Sequence, residues 1–265
     1  MNIIYSVIFL SITGFIFAVL LGYAAKKFTV KKNPVEEKIS GLLAGANCGA
    51  CGFAGCAGYA EALCSGKAEP GKCSVVSKEV NEEIAILLGK EIIQTSRKIA
   101  VIFCNGGNNC KDKFIYTGIE NCSVANNFAG GFKECIYGCL TLGDCARVCQ
   151  FGAITYQKGK VPVIDPNKCV GCGKCVEVCP KKIIHLVECK YNYHILCSSF
   201  DKGGYVRQTC STGCIGCGIC VKNCPQKDIK LENNLAKMLY NKCNNCNICF
   251  DKCPTKAIQR ITLFS

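Results

Sequence analysis

Hydrophobic and polar positions divide the chain into three stretches. Residues 3–25, IIYSVIFLSITGFIFAVLLGYAA, run 23 positions without a charge. That is long enough to cross the hydrocarbon core of a bilayer as one helix, with some tilt. Lys26, Lys27, Lys31 and Lys32 follow at once and no basic residue precedes the run, the reverse of a cleavable secretory signal. The positive-inside rule then places the amino terminus outside and everything after Lys26 in the cytoplasm. Beyond Asn33-Pro34 the period becomes helical. Ile39, Leu42 and Leu43 share a face within residues 35–43, and Val80, Ile84, Leu87 and Leu88 share one within residues 77–95. Residues 99–103 read as a short strand entering Cys104-Asn105-Gly106-Gly107. From residue 135 onward this periodicity gives way to cysteines.

Three cysteine runs have the form Cys-x2-Cys-x2-Cys-x3-Cys-Pro: Cys169, Cys172, Cys175, Cys179; Cys214, Cys217, Cys220, Cys224; and Cys243, Cys246, Cys249, Cys253. This is the bacterial ferredoxin signature, in which three cysteines of a run hold one iron–sulfur cube and the fourth reaches the neighbouring cube. A fourth run departs from it, with Cys135-x3-Cys139-x5-Cys145-x3-Cys149 and Gln150 in place of proline. A longer loop can still hold a cube. Similar tails follow the closing cysteines: QFGAITY, PKKIIHL, PQKDIKL and PTKAIQR. Closing cysteines lie 30 residues apart in the first pair of runs and 29 in the second, which predicts two modules of two clusters each. Such modules bury little hydrocarbon, so their folding should depend on the cubes.

Nearer the anchor, the run NCGACGFAGC carries Cys48, Cys51 and Cys56, with Cys73 downstream. Its glycines let backbone amides approach bound sulfides. Cys-x2-Cys-x4-Cys-x16-Cys is a ligand set for one further cube, although Cys64 could stand in for Cys73.

Composition narrows the alternatives. The chain has 27 cysteines in 265 residues, a density that otherwise suggests a disulfide scaffold. An odd count, metal-ligand spacings and no cleavable signal oppose that reading. Zinc sites also use Cys-x2-Cys, but pair two such hairpins and do not need three cysteines at two-residue steps before Cys-Pro. The formal charge is +13, yet each thiolate-bound cube contributes about −2, leaving about +3 once five are in place. No nucleic-acid partner is therefore expected from the basic balance. The lysines offset cluster charge and can attract an acidic electron donor. No catalytic residue, dinucleotide fingerprint or phosphate loop is evident, and His185 and His194 read as ordinary strand or surface residues.

The anchor, the NCGACGFAGC unit, the YGCLTLGDCARVC run and the later ferredoxin motifs, in this order, resemble the B subunits of Rnf complexes, ion-translocating ferredoxin:NAD+ oxidoreductases of bacterial membranes. The resemblance covers essentially the whole chain and points to the longer form with a second ferredoxin module. It implies an α+β chain divided into an anchor and linker (1–33), a four-cysteine [4Fe-4S] domain (34–95), a connecting segment (96–134), a two-cluster module (135–188), a connector (189–209) and a second module (210–265). It also implies a place in the cell membrane, partner subunits of an Rnf-type complex and soluble reduced ferredoxin as electron source. Crossed pairing assigns Cys135, Cys139, Cys145 and Cys179 to one cube, and Cys149, Cys169, Cys172 and Cys175 to the next. In the second module it assigns Cys214, Cys217, Cys220 and Cys253 to one cube, and Cys224, Cys243, Cys246 and Cys249 to the other.

With Cys48, Cys51, Cys56 and Cys73 that makes five cubes. Cys64, Cys104, Cys110, Cys122, Cys189, Cys197 and Cys210 remain, and buried free thiols are commonly inert. Cys104, Cys122, Cys197 and Cys210 flank the first module and form a candidate sixth set. Two other functions fit the same motifs: a related membrane complex that reduces a redox-sensing regulator, and a membrane-tethered iron–sulfur sensor.

Overall fold

The computed structural model describes residues 2–27, 33–92 and 96–262. The apolar run forms α1 (Asn2–Lys27), its side chains largely exposed, with Lys26 and Lys27 in the last turn. It is the one described helix long and apolar enough to cross a membrane. Lys31 and Lys32 lie outside the described residues.

Three short helices build the next unit. Asn33 caps α2 (Pro34–Leu42) by accepting the Val35 N–H, and Pro34 sits where its missing N–H costs nothing. α3 (Cys56–Cys64) packs against α2. α4 (Lys78–Leu88), capped by the Ser77 hydroxyl, stops where Gly89 adopts φ 61°. The helical pattern thus ends short of residue 95, and residues 93–95 lie outside those described. Ile39, Tyr59, Leu63 and Ile84 are at most 1% exposed and form a hydrocarbon core, each contributing roughly 1.5–3 kcal/mol by leaving water. Cys51, Cys56 and Cys73 pack on that core.

The remaining chain is built from antiparallel strand pairs and helices of seven residues or fewer. β1 (Lys98–Ile102) is followed by α5 (Cys122–Asn127), α6 (Asp144–Arg147), β2 (Ile154–Thr155), β3 (Val163–Ile164), α7 (Lys174–Val178) and β4 (Ile184–Glu188). The second half runs β5 (Tyr193–Ile195), α8 (Gly203–Thr209), α9 (Ile219–Lys222), β6 (Ile229–Glu232), β7 (Leu235–Met238), α10 (Ile248–Asp251) and β8 (Ile258–Arg260). β1 pairs with β4 and β2 with β3; β5 pairs with β8 and β6 with β7. In each half the tail strand of the first cysteine run folds onto the next strand. That of the second run returns to a strand lying ahead of the module. The segments expected as connectors, 96–134 and 189–209, thereby supply β1 and β5.

One backbone device recurs four times. Gly143, Gly173, Gly218 and Asn247 adopt φ of 80°, 82°, 71° and 60° immediately before α6, α7, α9 and α10. This left-handed bend turns the chain from the cysteine loop into a single helical turn, where glycine has no Cβ penalty. Three residues past each closing cysteine, Gly152, Lys182, Lys227 and Lys256 repeat the bend (φ 57°, 52°, 51°, 54°) and release the chain into its tail strand. The fold is α+β, and its cores mix hydrocarbon with thiols. Ile99, Val101, Ile183 and Ile184 share the first with Cys145, Cys169 and Cys175; Ile195, Ile229 and Ile258 share the second with Cys220 and Cys249.

Candidate metal centres

In the glycine-rich unit Asn47 Oδ1 accepts the Cys56 N–H at 2.8 Å, which ties the first cysteine turn to the start of α3. Gly55 makes this possible: at φ 96° a Cβ there would stand 2.7 Å from that same oxygen. Burial raises the Cys51 thiol, and the neighbouring Cys73 and Cys48 raise it further. Cys64, at the far end of α3, is raised by burial and by Glu36. The structure therefore groups Cys73, rather than Cys64, with Cys48 and Cys51.

The second module brings its cysteines together in crossed sets. Cys214, Cys217, Cys220 and Cys253 line one small cavity under Ile195 and Ile258. The Cys220 thiol is pushed up to about 12 by burial and then by those three neighbours. Cys249 is pushed up to about 11 by burial and then by Cys243, Cys246 and Cys224. Half of the first module follows suit. Cys175 rises to about 12 through burial and then Cys169 and Cys172. Cys172 is raised by burial, with Cys48 and Cys149 among its neighbours.

The other half does not. Cys122, Cys139, Cys145 and Cys179 line one cavity beneath Ile102 and Ile184, and Cys135 lies elsewhere. Burial, followed by Cys122 and Cys179, pushes Cys145 up to about 12. The structure thus places Cys122, where Cys135 was expected, beside Cys139, Cys145 and Cys179, and apart from Cys197 and Cys210. The cause is Asp144, a buried carboxylate at the start of α6. It accepts the N–H groups of Cys122 (2.9 Å) and Ser123 (3.4 Å), binding the start of α5 beside Cys145. Arg147 pairs with Asp144 and holds the Leu142 and Glu120 carbonyls at 2.9 Å each.

Cys135 joins a second cavity that Cys104, Cys110, Cys197 and Cys210 also line, with Cys139 at the edge of both. Three distant segments meet there as a small ladder. Glu134 N–H bonds the Lys111 carbonyl (2.8 Å) and Lys113 N–H the Phe132 carbonyl (2.7 Å). Lys111 N–H bonds Thr209 (2.9 Å) and Ser211 N–H bonds Asn109 (3.1 Å), with Cys110 and Cys210 paired as a bridge. The thiols hydrogen-bond in series: Cys110 hydrogen-bonds to both Cys210 and Cys135, raising Cys210 and lowering Cys135. Cys110 carries no recognisable spacing. The only sequence signal was Gly106-Gly107 inside a Cys-x5-Cys loop.

Burial disfavours the thiolate at Cys145, Cys175, Cys220 and Cys249. A bound iron–sulfur core supplies the positive charge that stabilises thiolates and drives proton release. Among the described residues no group of three or more His, Cys, Asp or Glu closes around a single ion. Amide donors to sulfur are already in place: Ala100 N–H to Cys169, Thr141 N–H to Cys139, and both Gly106 and Cys139 N–H to Cys104, each at 3.4 Å. Such N–H···S contacts tune cluster potentials. The donor sets fit [4Fe-4S] clusters.

Family comparison agrees with this chemistry. Residues 43–75 match an Fe-S cluster family, and residues 134–183 and 203–258 each match the 4Fe-4S dicluster domain. The chain is 41% identical, over 88% of its length and 71% of the relative's, to the B subunit of the Na(+)-translocating ferredoxin:NAD(+) oxidoreductase complex of Acetobacterium woodii. It is 40% identical to the B subunit of the ion-translocating oxidoreductase complex of Methanosarcina acetivorans, covering 91% of this chain and 92% of that one. The B subunit of the proton-translocating ferredoxin:NAD(+) oxidoreductase complex of Clostridium ljungdahlii is also 40% identical, with 91% and 86% covered. A membrane-length helix, clefts built for 4Fe-4S clusters and these relatives lead to one conclusion: the chain belongs to the Rnf family of ion-translocating oxidoreductase complex B subunits, as an iron–sulfur electron-transfer subunit.

Proposed function

We propose that the chain carries electrons from soluble reduced ferredoxin toward NAD+ through partner subunits of an Rnf-type membrane complex. Cys48, Cys51, Cys56 and Cys73 would hold one [4Fe-4S] cluster. Cys122, Cys139, Cys145 and Cys179 would hold a second, and Cys149, Cys169, Cys172 and Cys175 a third. In the second module Cys214, Cys217, Cys220 and Cys253 would hold a fourth, and Cys224, Cys243, Cys246 and Cys249 a fifth. Bound there, each supplies a one-electron carrier and needs no bond chemistry on the polypeptide.

The observation that carries the reading is where the anchored unit meets the first module. The Ser74 hydroxyl donates to the Val170 carbonyl at 2.7 Å, and Cys48 stands among the neighbours of Cys172. This puts the thiols of the anchored unit against the loop of the next set, so the glycine-rich unit is the exit toward the membrane. Ferredoxin then enters at the second module, whose surface lysines suit an acidic donor. The lysines that close α1 support a single-pass anchor with the clusters on the cytoplasmic side. With no charged residue in 3–25, α1 offers no ion path of its own. Ion movement and NAD+ reduction belong to partner subunits, and no nucleic acid takes part.

Anaerobic titration with reduced ferredoxin, read by EPR and zero-length cross-linking, tests this. All clusters should be reduced, and cross-links should fall beyond residue 135. Clusters that stay oxidised, or cross-links confined to residues 48–73, contradict this direction of electron flow.

A further inference from the structure

The cavity shared by Cys104, Cys110, Cys135 and Cys210 is not one of the five sets just assigned. These thiols come from four separate places in the chain, the outermost pair more than a hundred positions apart. The ladder formed by residues 109–113, 132–134 and 209–211 draws three of them together. The fourth is seated by the turn at Gly106. A Cβ on Gly106 would stand 3.5 Å from Cys104 Sγ, 3.7 Å from Cys210 Sγ and 3.2 Å from Cys110 Cβ. Only a residue without a side chain leaves the space between these sulfurs open.

The surroundings are those of an anionic sulfur site. Cys104 Sγ accepts the Gly106 and Cys139 N–H groups, and the Thr212 hydroxyl lies 3.6 Å from Cys210 Sγ. Beside the cavity sits Lys133, 3% exposed. Its ammonium reaches Asp112 at 2.8 Å and the Gly107 and Cys110 carbonyls at 3.1 and 3.4 Å. A buried ammonium is costly to place even when its three protons are satisfied. Here it is fastened to the loop that carries Cys110, where a dianionic cluster would need a counter-charge. Inert thiols explain none of this convergence.

We infer that Cys104, Cys110, Cys135 and Cys210 are the ligands of a sixth [4Fe-4S] cluster, which joins the two ferredoxin modules. The relay role rests on the electron-transfer reading above; the ligand set does not. Its position is intermediate: Cys139, in the neighbouring first-module set, donates its N–H to Cys104, and Cys197 lies between Cys104 and Cys214. Cys197 lines the same cavity but stands outside the hydrogen-bonded group of Cys110, Cys135 and Cys210, and its first thiol neighbour is Cys214 of the second module, so it is assigned to the wall. The cluster takes one electron from a neighbouring cube and gives one to the next, with no bond made or broken.

The full-length chain, purified anaerobically in detergent, tests this by iron and acid-labile sulfide counts. Six cubes give about 24 irons per fully loaded chain. The Cys110→Ser/Cys210→Ser double variant should fall to about 20 while keeping the EPR signals of the other sites. Cys197→Ser should keep the wild-type count. A wild-type count of about 20, an unchanged count in the double variant, or a drop in Cys197→Ser overturns the assignment. So does a Cys110–Cys210 disulfide found by mass spectrometry of the anaerobic protein. Where the double variant does not assemble, the wild-type count decides. Six cubes that ferredoxin fails to reduce would sink the relay and leave the sixth site standing.

Discussion

The two ferredoxin modules share a plan and differ in how they complete it. In both, a strand ahead of the module pairs with the last tail strand, β1 with β4 and β5 with β8. In both, left-handed bends precede the one-turn helices. The second module lines a cavity with sulfurs from its own two runs, whereas in the first Cys122 from upstream lines the cavity and Cys135 lies in a neighbouring one. Under the proposed assignment, local spacing decides ligation only where it is tight enough to leave one solution. The looser Cys135-x3-Cys139-x5-Cys145 run lets a buried carboxylate, Asp144, choose the partner.

The largest test of that contrast exchanges ligands. Cys253→Ser should cost the second module about four irons, and Cys122→Ser should cost the first module as many. Both losses are read by iron analysis and by the missing EPR component. If Cys122→Ser keeps its cluster, the two modules pair alike and the contrast fails.

A smaller difference lies at matching strand positions. Where β1 buries Val101 opposite His185, β5 buries His194 opposite Gln259. His194 Nδ1 meets the Tyr240 hydroxyl at 2.8 Å, and Nε2 has no partner among the described residues. Burial lowers its pKa from 6.5 to about 4. The unfolded chain therefore binds the proton first. The stability contributed by the neutral ring is complete above pH 6.5 and is lost as pH falls to about 4, up to about 3 kcal/mol in all. Urea midpoints measured across that window should fall in the wild type and flatten in His194→Val. Equal slopes would remove the distinction between β1 and β5.

The smallest effect concerns the bends. Asn247→Gly should stabilise the second module by a few tenths to about 1 kcal/mol, because glycine accepts φ 60° freely, and Gly173→Ala should cost the first about 1–2 kcal/mol. Space is not at issue, since a Cβ at Gly173 meets nothing within 4 Å. Paired denaturation midpoints check both, and a gain in Gly173→Ala would show that the bend is unstrained.

Much of this was legible in the residues. The 3–25 run, the faces of α2 and α4, and the strand at 99–103 follow from short-range periodicity. The repeated tails foretold the repeated strands, and Pro180, Pro225 and Pro254 marked the closing cysteines. What escaped was long-range. Cys110 has no motif, Lys133 looks like any surface lysine in a row of letters, and Asp144 resembles an ordinary helix-starting acid.

The sequence alone therefore determined that this is an anchored, cysteine-rich α+β chain with two repeated modules. Tight loop spacings, continuous apolar length and left-handed bends act over a few residues and need no partner. Only the tertiary structure decided which thiols stand beside Cys139, Cys145 and Cys179, and which meet in the cavity between the modules. Those choices rest on backbone pairings between residues 109–113, 132–134 and 209–211 and on one buried carboxylate. Contacts across a hundred residues form only when the chain has closed its loops, an entropic cost that no local pattern records.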